Sequence, residues 1–203
     1  MVGQARPAPP LMKRIREALK RQNEFELAAM PHSIGLLRVA RRLTSDSAFA
    51  EDLVQETLLL AWRSFDQFRA GTNVRAWLFR IMFNAFYAQR RRLRARPVLV
   101  PMPQGLEAES FASGGEALLE AAAVARALET LSEEHRGVLL LAVVEGFTCR
   151  EVAAILSVPI GTVMSRLNRA RRALRNALEP SLRGEHEPAA STAAVDYMEN
   201  QAS

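Results

Sequence analysis

Residues 148–175 read TCREVAAILSVPIGTVMSRLNRARRALR, and the reading of this stretch decides the fold. Val152, Ala153, Ile155 and Leu156 give residues 150–156 one apolar side, as a short amphipathic helix requires. Thr148 stands before that helix with Glu151 three positions on, the spacing of a capping box. Pro159 disfavours helical geometry at Val158, so the helix ends over Ser157-Val158-Pro159. A second helix is predicted from Ile160, with Val163, Leu167, Ala170 and Leu174 on one stripe. Its other faces hold Thr162, Ser165, Arg166, Asn168, Arg169, Arg171, Arg172 and Arg175. Ala153 is small where two helices must approach, and Val158 supplies an apolar plug in the turn. A basic amphipathic helix alone is more often a solvated face. A short helix, a tight turn and a longer basic helix together form a helix-turn-helix, whose second helix lies in the major groove of DNA. Thr162 and Ser165 fall in its first turns, where short polar side chains reach phosphates or bases.

The rest of the chain fits such a partner. Net charge is +5 over 203 residues, and the pI is about 10.3. The basic excess is mostly arginine, whose planar fork suits phosphate and guanine. At 49% hydrophobic the chain can bury real cores. Its single Cys149 excludes an internal disulfide and a cysteine-based zinc site, and reads as a small, partly buried residue. No apolar run approaches the ~18 residues of a membrane span, and the opening MVGQARPAPP lacks the apolar core of a signal peptide. A reduced, cytoplasmic protein is the expectation.

Upstream, residues 11–21 are basic and helix-permissive, either a short extra helix or a frayed tail. Asn23 is read as a cap for residues 24–30, with a restart at Pro31 that carries Leu36, Leu37, Val39, Ala40 and Leu43 inward and Arg38, Arg41 and Arg42 outward. Asp46 caps a long helix with Phe49, Leu53, Val54, Thr57, Leu58, Leu60, Ala61 and Phe65 on its apolar faces. Asp52, Gln55, Glu56 and Leu59 share one further stripe, which spacing alone leaves as either a solvated face or a docking face. Residues 66–73 form a loop, and Thr72 or Asn73 caps VRAWLFRIMFNAFYAQRRRLRAR. That helix mixes rings with Arg75, Arg80, Asn84, Gln89, Arg90, Arg91, Arg92, Arg94 and Arg96, the combination single-stranded nucleic acid needs. Trp77, Ile81 and Phe83 are assigned to the core. A Pro-, Gly- and Ser-rich segment follows. Beyond it come an Ala- and Leu-rich helix over 116–130 and a helix capped by Ser132 and stopped by Gly146.

Nothing indicates catalysis. His32, His135 and His186 lie in unrelated contexts, no glycine-rich phosphate loop follows a strand, and no nucleophile–base pair is suggested. No cofactor and no metal site are expected, and the chain reads as a binding protein, not an enzyme.

DLVQET on a long helix, an aromatic-basic helix opening AWLFRIMFN, a linker, and LSEEHRGVLLLAVVEGFTCREVAAILSVPIGTVMSRLNRARRALR together resemble a group IV, extracytoplasmic-function (ECF) bacterial sigma factor of the sigma-70 family. The resemblance covers about 25–178. It implies an all-α chain of two small helical domains joined by a flexible linker. Their bounds are an N-terminal extension at 1–22, sigma region 2 at 23–96, linker at 97–115, sigma region 4 with the helix-turn-helix at 116–179, and a disordered tail at 180–203. It implies that Asp52, Leu53, Gln55 and Glu56 dock on core RNA polymerase, which overrides the solvated-face reading. Arg80, Asn84 and Tyr87 would open and hold the minus-ten element. Thr162, Ser165, Arg166, Arg169 and Arg172 would read the minus-thirty-five element. Partners would be core polymerase, promoter DNA as duplex and melted strand, and an anti-sigma factor. The function implied is promoter-specific transcription initiation. An autonomous helix-turn-helix regulator, or a sigma-like decoy that binds an anti-sigma factor, are the alternatives.

Overall fold

A computed structural model describes residues 11–44, 46–69, 71–95 and 115–183. The linker at 97–114 and the tail from 184 lie outside the described residues, and so do the expectations placed on them. Every regular element among the described residues is helical, as the sequence predicted.

Helix α1 (Leu11–Ala29) is continuous, so Asn23 caps nothing and the basic run is the first half of one helix. Asn tolerates a helix interior at a cost of only a few tenths of a kcal/mol, which tertiary packing at Phe25 and Ala29 offsets. A 3-10 turn (Met30–His32) holding Pro31 at its start leads into α2 (Ser33–Thr44). Asp46 caps α3 (Ser47–Ser64), its carboxylate accepting from the Phe49 amide at 3.0 Å. After a second 3-10 turn (Phe65–Gln67), Asn73 caps α4 (Val74–Ala95) by accepting from the Ala76 amide.

Helix α5 (Gly115–Glu129) begins the second half. Ser132 caps α6 (Glu133–Leu139), which widens into a π turn (Leu140–Val144). Gly146 ends it at φ +70°, a conformation L side chains rarely adopt. Thr148 and Glu151 form both hydrogen bonds of the capping box of α7 (Cys149–Leu156). Ser157 closes α7 in the left-handed region, and α8 (Ile160–Arg183) follows Pro159. Helix α8 runs four residues past 179, so the expected start of the tail is too early.

The two helical halves pack on one another. Phe79, Phe83 and Phe86 of α4 and Leu140, Leu141, Val152 and Ile155 of the second half belong to one buried cluster. Two small helical domains were the expectation, and the two halves are those domains; that they pack on one another was not part of it. The periodicity of each half showed that it had an apolar face, but not that one face of each would be spent on the other.

Candidate nucleic-acid interface

Helix α8 divides into a buried side and an exposed basic side, with one complication. Val163, Leu167 and Ala170 are buried, which anchors one side. The opposite side leaves Ser165, Arg169, Arg171, Arg172 and Arg175 exposed. Val158, half-buried, packs against the core from the turn, and its amide donates to the Ala153 carbonyl. Thr162 is half-buried and its carbonyl accepts from the Ser165 hydroxyl at 3.0 Å. Arg166 is not extended into solvent: it donates to Glu134 of α6 at 2.7 Å, with its side chain 23% exposed.

On α4, Arg80 and Asn84 are one turn apart and both exposed. Tyr87, the third expected member of that set, is tucked between the halves. Its ring packs on Phe86 and Phe83, and a methyl on Gly137 of α6 would meet its hydroxyl at 3.3 Å. Burial pushes the Tyr87 phenol up to about 12, and the Glu134 charge adds to that while Arg166 opposes it. Arg166 and Tyr87 therefore lie within electrostatic reach of each other, both bordering Glu134.

The stripe on α3 is open: Asp52, Gln55 and Glu56 are exposed and Leu59 is 48% exposed beside them. Leu53 departs from the expected docking set. It is 1% exposed, because it sits about 100° around the helix from Asp52 and faces the core. It supports the stripe from beneath and is not available to a partner in this conformation. Cys149 is half-buried, as expected of a small structural residue.

The junction of the halves is built from residues that sequence reading passed over. Glu145, at the end of the π turn, has a side chain 1% exposed and accepts from two arginines of the first half. Arg38 donates through Nε at 3.1 Å and Nη2 at 2.7 Å, and Arg75 donates to the carboxylate and to the Glu145 carbonyl. Arg75 also lies 4.3 Å over the Phe147 ring, which meets Phe79 edge-on at 5.4 Å. Arg90 and Arg94 hold Glu133. Arg136 is buried and donates across the junction to the Leu43 carbonyl and, within its own half, to the carbonyls of Glu129 and Leu131. Gly137 sits where a Cβ would come within 2.8 Å of the Phe83 ring. Thus Arg38 is not simply outward, Arg75 and Arg90 are engaged with the second half, and Arg94 reaches Glu133 while its side chain stays 73% exposed. One signal was present in the sequence. A glycine inside a helix costs about 1 kcal/mol relative to alanine, so Gly137 called for a close neighbour.

These features (a helix-turn-helix, an aromatic-basic helix and an acidic stripe on all-helical halves) are those of a DNA-binding protein. Residues 30–96 match the family description Sigma-70 region 2, and residues 121–174 match Sigma-70, region 4. The ECF RNA polymerase sigma factor SigL of Mycobacterium tuberculosis is 40% identical over 150 residues, 73% of this chain and 85% of the relative. The ECF RNA polymerase sigma-E factor of Escherichia coli is 32% identical over 190 residues, 85% and 95% of the two chains. A solved structure of the sigma factor RpoE in complex with the anti-sigma factor NepR, from Bartonella quintana, matches with a TM-score of 0.65 at 32% identity. It covers 77% of this chain and 97% of that one. The chain belongs to the ECF sigma factors of the sigma-70 family, and it directs transcription initiation. That family is not one of enzymes, and no described helix is long and apolar enough to cross a membrane.

Proposed function

We propose that the chain binds core RNA polymerase through Asp52, Gln55 and Glu56, with Leu59 beside them and Leu53 supporting from the core. It then brings two readers to one promoter. Helix α8 enters the major groove of the minus-thirty-five element, with Arg166 and Arg169 nearest the bases and Thr162, Ser165 and Arg172 supporting. Helix α4 meets the minus-ten element as it melts. Asn84 offers donor and acceptor to a flipped base, Arg80 holds the backbone, and Tyr87 stacks. The unit boundaries follow those expected from sequence, with the second unit ending at Arg183. The chain performs no covalent chemistry: nucleotide addition belongs to the polymerase, in the cytoplasm.

The observation that carries this reading is the division of α8 into a buried stripe at Val163, Leu167 and Ala170 and an exposed basic face at Arg169, Arg171 and Arg172. Two weak readers gain from being held at fixed spacing, which the polymerase supplies. An anti-sigma factor is a further partner, since RpoE of Bartonella quintana, at a TM-score of 0.65, was solved with one. Transcription in vitro with core polymerase tests the reading. Arg169→Ala should lower promoter selectivity while a random-sequence template is bound nearly as before. Unchanged selectivity would return Arg169 to a surface role.

A further inference from the structure

We propose that the free end of α1 is a peripheral membrane anchor. Residues 11–20 lay a short apolar stripe on an anionic phospholipid surface, and their basic side chains reach its headgroups. The helix lies on the bilayer and does not cross it. This binding activity uses none of the residues assigned to polymerase docking or to the two readers.

The helix is held at one end only. Arg21 donates to the Asp66 carboxylate at 2.7 Å and to the Trp62 carbonyl at 2.9 Å, and its guanidinium stands 4.2 Å over the Trp62 ring. Phe25 meets the Trp62 and Phe65 rings edge-on, each at 5.3 Å. From Leu11 to Lys20, by contrast, every residue is exposed. About 15 Å of helix therefore projects from the first half. So short a stretch gains little in water from its own hydrogen bonds, and a surface along it would stabilise it.

The projecting part carries an apolar stripe that the body does not use. Leu11, Met12, Ile15 and Leu19 fall on one side of the helix and are 70%, 64%, 43% and 55% exposed. Phe25, which enters the core, points roughly a quarter turn away from the centre of that stripe. The stripe also stops where the body begins. Gln22 and Glu26, next in line, are polar and hydrogen-bond each other at 2.9 Å. A face meant for the first half would carry apolar residues there.

Charge selects the occupant. Arg14 and Arg16 flank the stripe, Lys13 and Lys20 lie behind it, and Glu17 is the one acid among residues 11–20. Lys13 and Lys20 meet Glu17 and Glu24 only at 4.0 and 3.7 Å, in exposed pairs that hold a lysine weakly. A second copy of the chain would bring arginine against arginine beside the stripe. A DNA backbone would answer the charge and leave four apolar side chains in water. No aromatic anchor of the kind that fills a pocket on a partner protein stands among these residues. An anionic bilayer answers both features. The acyl boundary receives the stripe, and the long stems of lysine and arginine keep their charges at the phosphates.

Vesicles test the anchor. The full-length chain is mixed with vesicles of phosphatidylcholine alone, or of phosphatidylcholine with an equal share of phosphatidylglycerol, and the fraction that sediments with lipid is measured. One variant, Ile15→Gln with Leu19→Gln, removes the stripe. A second, Lys13→Gln with Arg16→Gln, removes charge. All four positions are exposed and glutamine keeps helix propensity, so helicity and thermal midpoint should match wild type. Wild type should sediment with the anionic vesicles and stay in solution with the neutral ones. The charge variant should bind roughly twentyfold more weakly, as two cations leave the surface. The stripe variant should bind at least about tenfold more weakly, as two large apolar side chains are lost. Promoter-dependent transcription with core polymerase in lipid-free buffer should be unchanged in both. Wild type left in solution with anionic vesicles overturns the anchor. So does a stripe variant that binds them like wild type, because adsorption would then be by charge alone, which the arginines of α8 supply. Lowered lipid-free transcription in either variant places α1 against polymerase or DNA instead. A dimer that only the stripe variant loses, seen by sedimentation equilibrium, makes the stripe an interface between copies. Either result overturns the lipid assignment.

Discussion

Tyr87 can be followed directly, because the chain has only two tyrosines. Burial lifts its phenol to about 12 from the usual 10.0, with Glu134 adding to the shift. The folded chain therefore favours the protonated ring. That contribution to stability is fully present below pH 10 and is lost as pH rises through about 12. In a Tyr197→Phe chain, the phenolate absorbance at 295 nm should rise with a midpoint near 12, and a midpoint near 10 would show Tyr87 to be open to water. Arg166 lends itself to a second residue test. If it reads a guanine with its fork once Glu134 lets go, Arg166→Ala costs about 1–3 kcal/mol of promoter discrimination, read from competition between matched and mismatched promoters. The type and face of Arg166 were legible from spacing. Its pairing with Glu134 was not, since Glu134 read as an acid at a helix N-terminus whose charge answers only its own helix.

Elements with local causes were the most legible. Asp46, Asn73, Ser132 and Thr148 were each read as helix caps, or as one of two candidates, and each accepts an amide at the start of its helix. A cap is chosen within four residues, so no distant contact can hide it. Thr148→Ala should lower stability by about 1 kcal/mol, seen as a lower midpoint of urea unfolding, with Glu151→Gln losing less because Thr148 still meets the amide of residue 151. The α3 stripe is legible for the same reason of period, except at Leu53, where a docking role came from resemblance and the helical angle sends the side chain inward. Charge reversal at Asp52 and Glu56 should weaken binding to core polymerase at least about tenfold with unchanged thermal stability, since both are exposed. Wild-type affinity in a pull-down titration would return the stripe to solvent. The π turn at Leu140–Val144 could not be read in advance. Its apolar run satisfies an α-helix equally well, and only the docking of Glu145 and Phe147 selects the wider turn.

At the scale of the molecule, the two halves were legible and their union was not. Composition shifts at the linker marked where one half ends. Junction residues such as Arg38, Arg75, Arg136 and Glu145 look like ordinary surface charges, because pairs 70 or more residues apart leave no period in the sequence. Gly137 was the exception, a helix-interior glycine whose cost required a neighbour. On the proposed function, the two readers gain when polymerase sets their spacing. The most direct test is promoter-dependent run-off transcription, with templates drawn from genomic fragments retained by the reconstituted holoenzyme. The chain alone and core polymerase alone should give no specific transcript, and the two together should initiate at one position per promoter. Tight, sequence-specific DNA binding by the free chain, with no stimulation of core polymerase, would contradict the account.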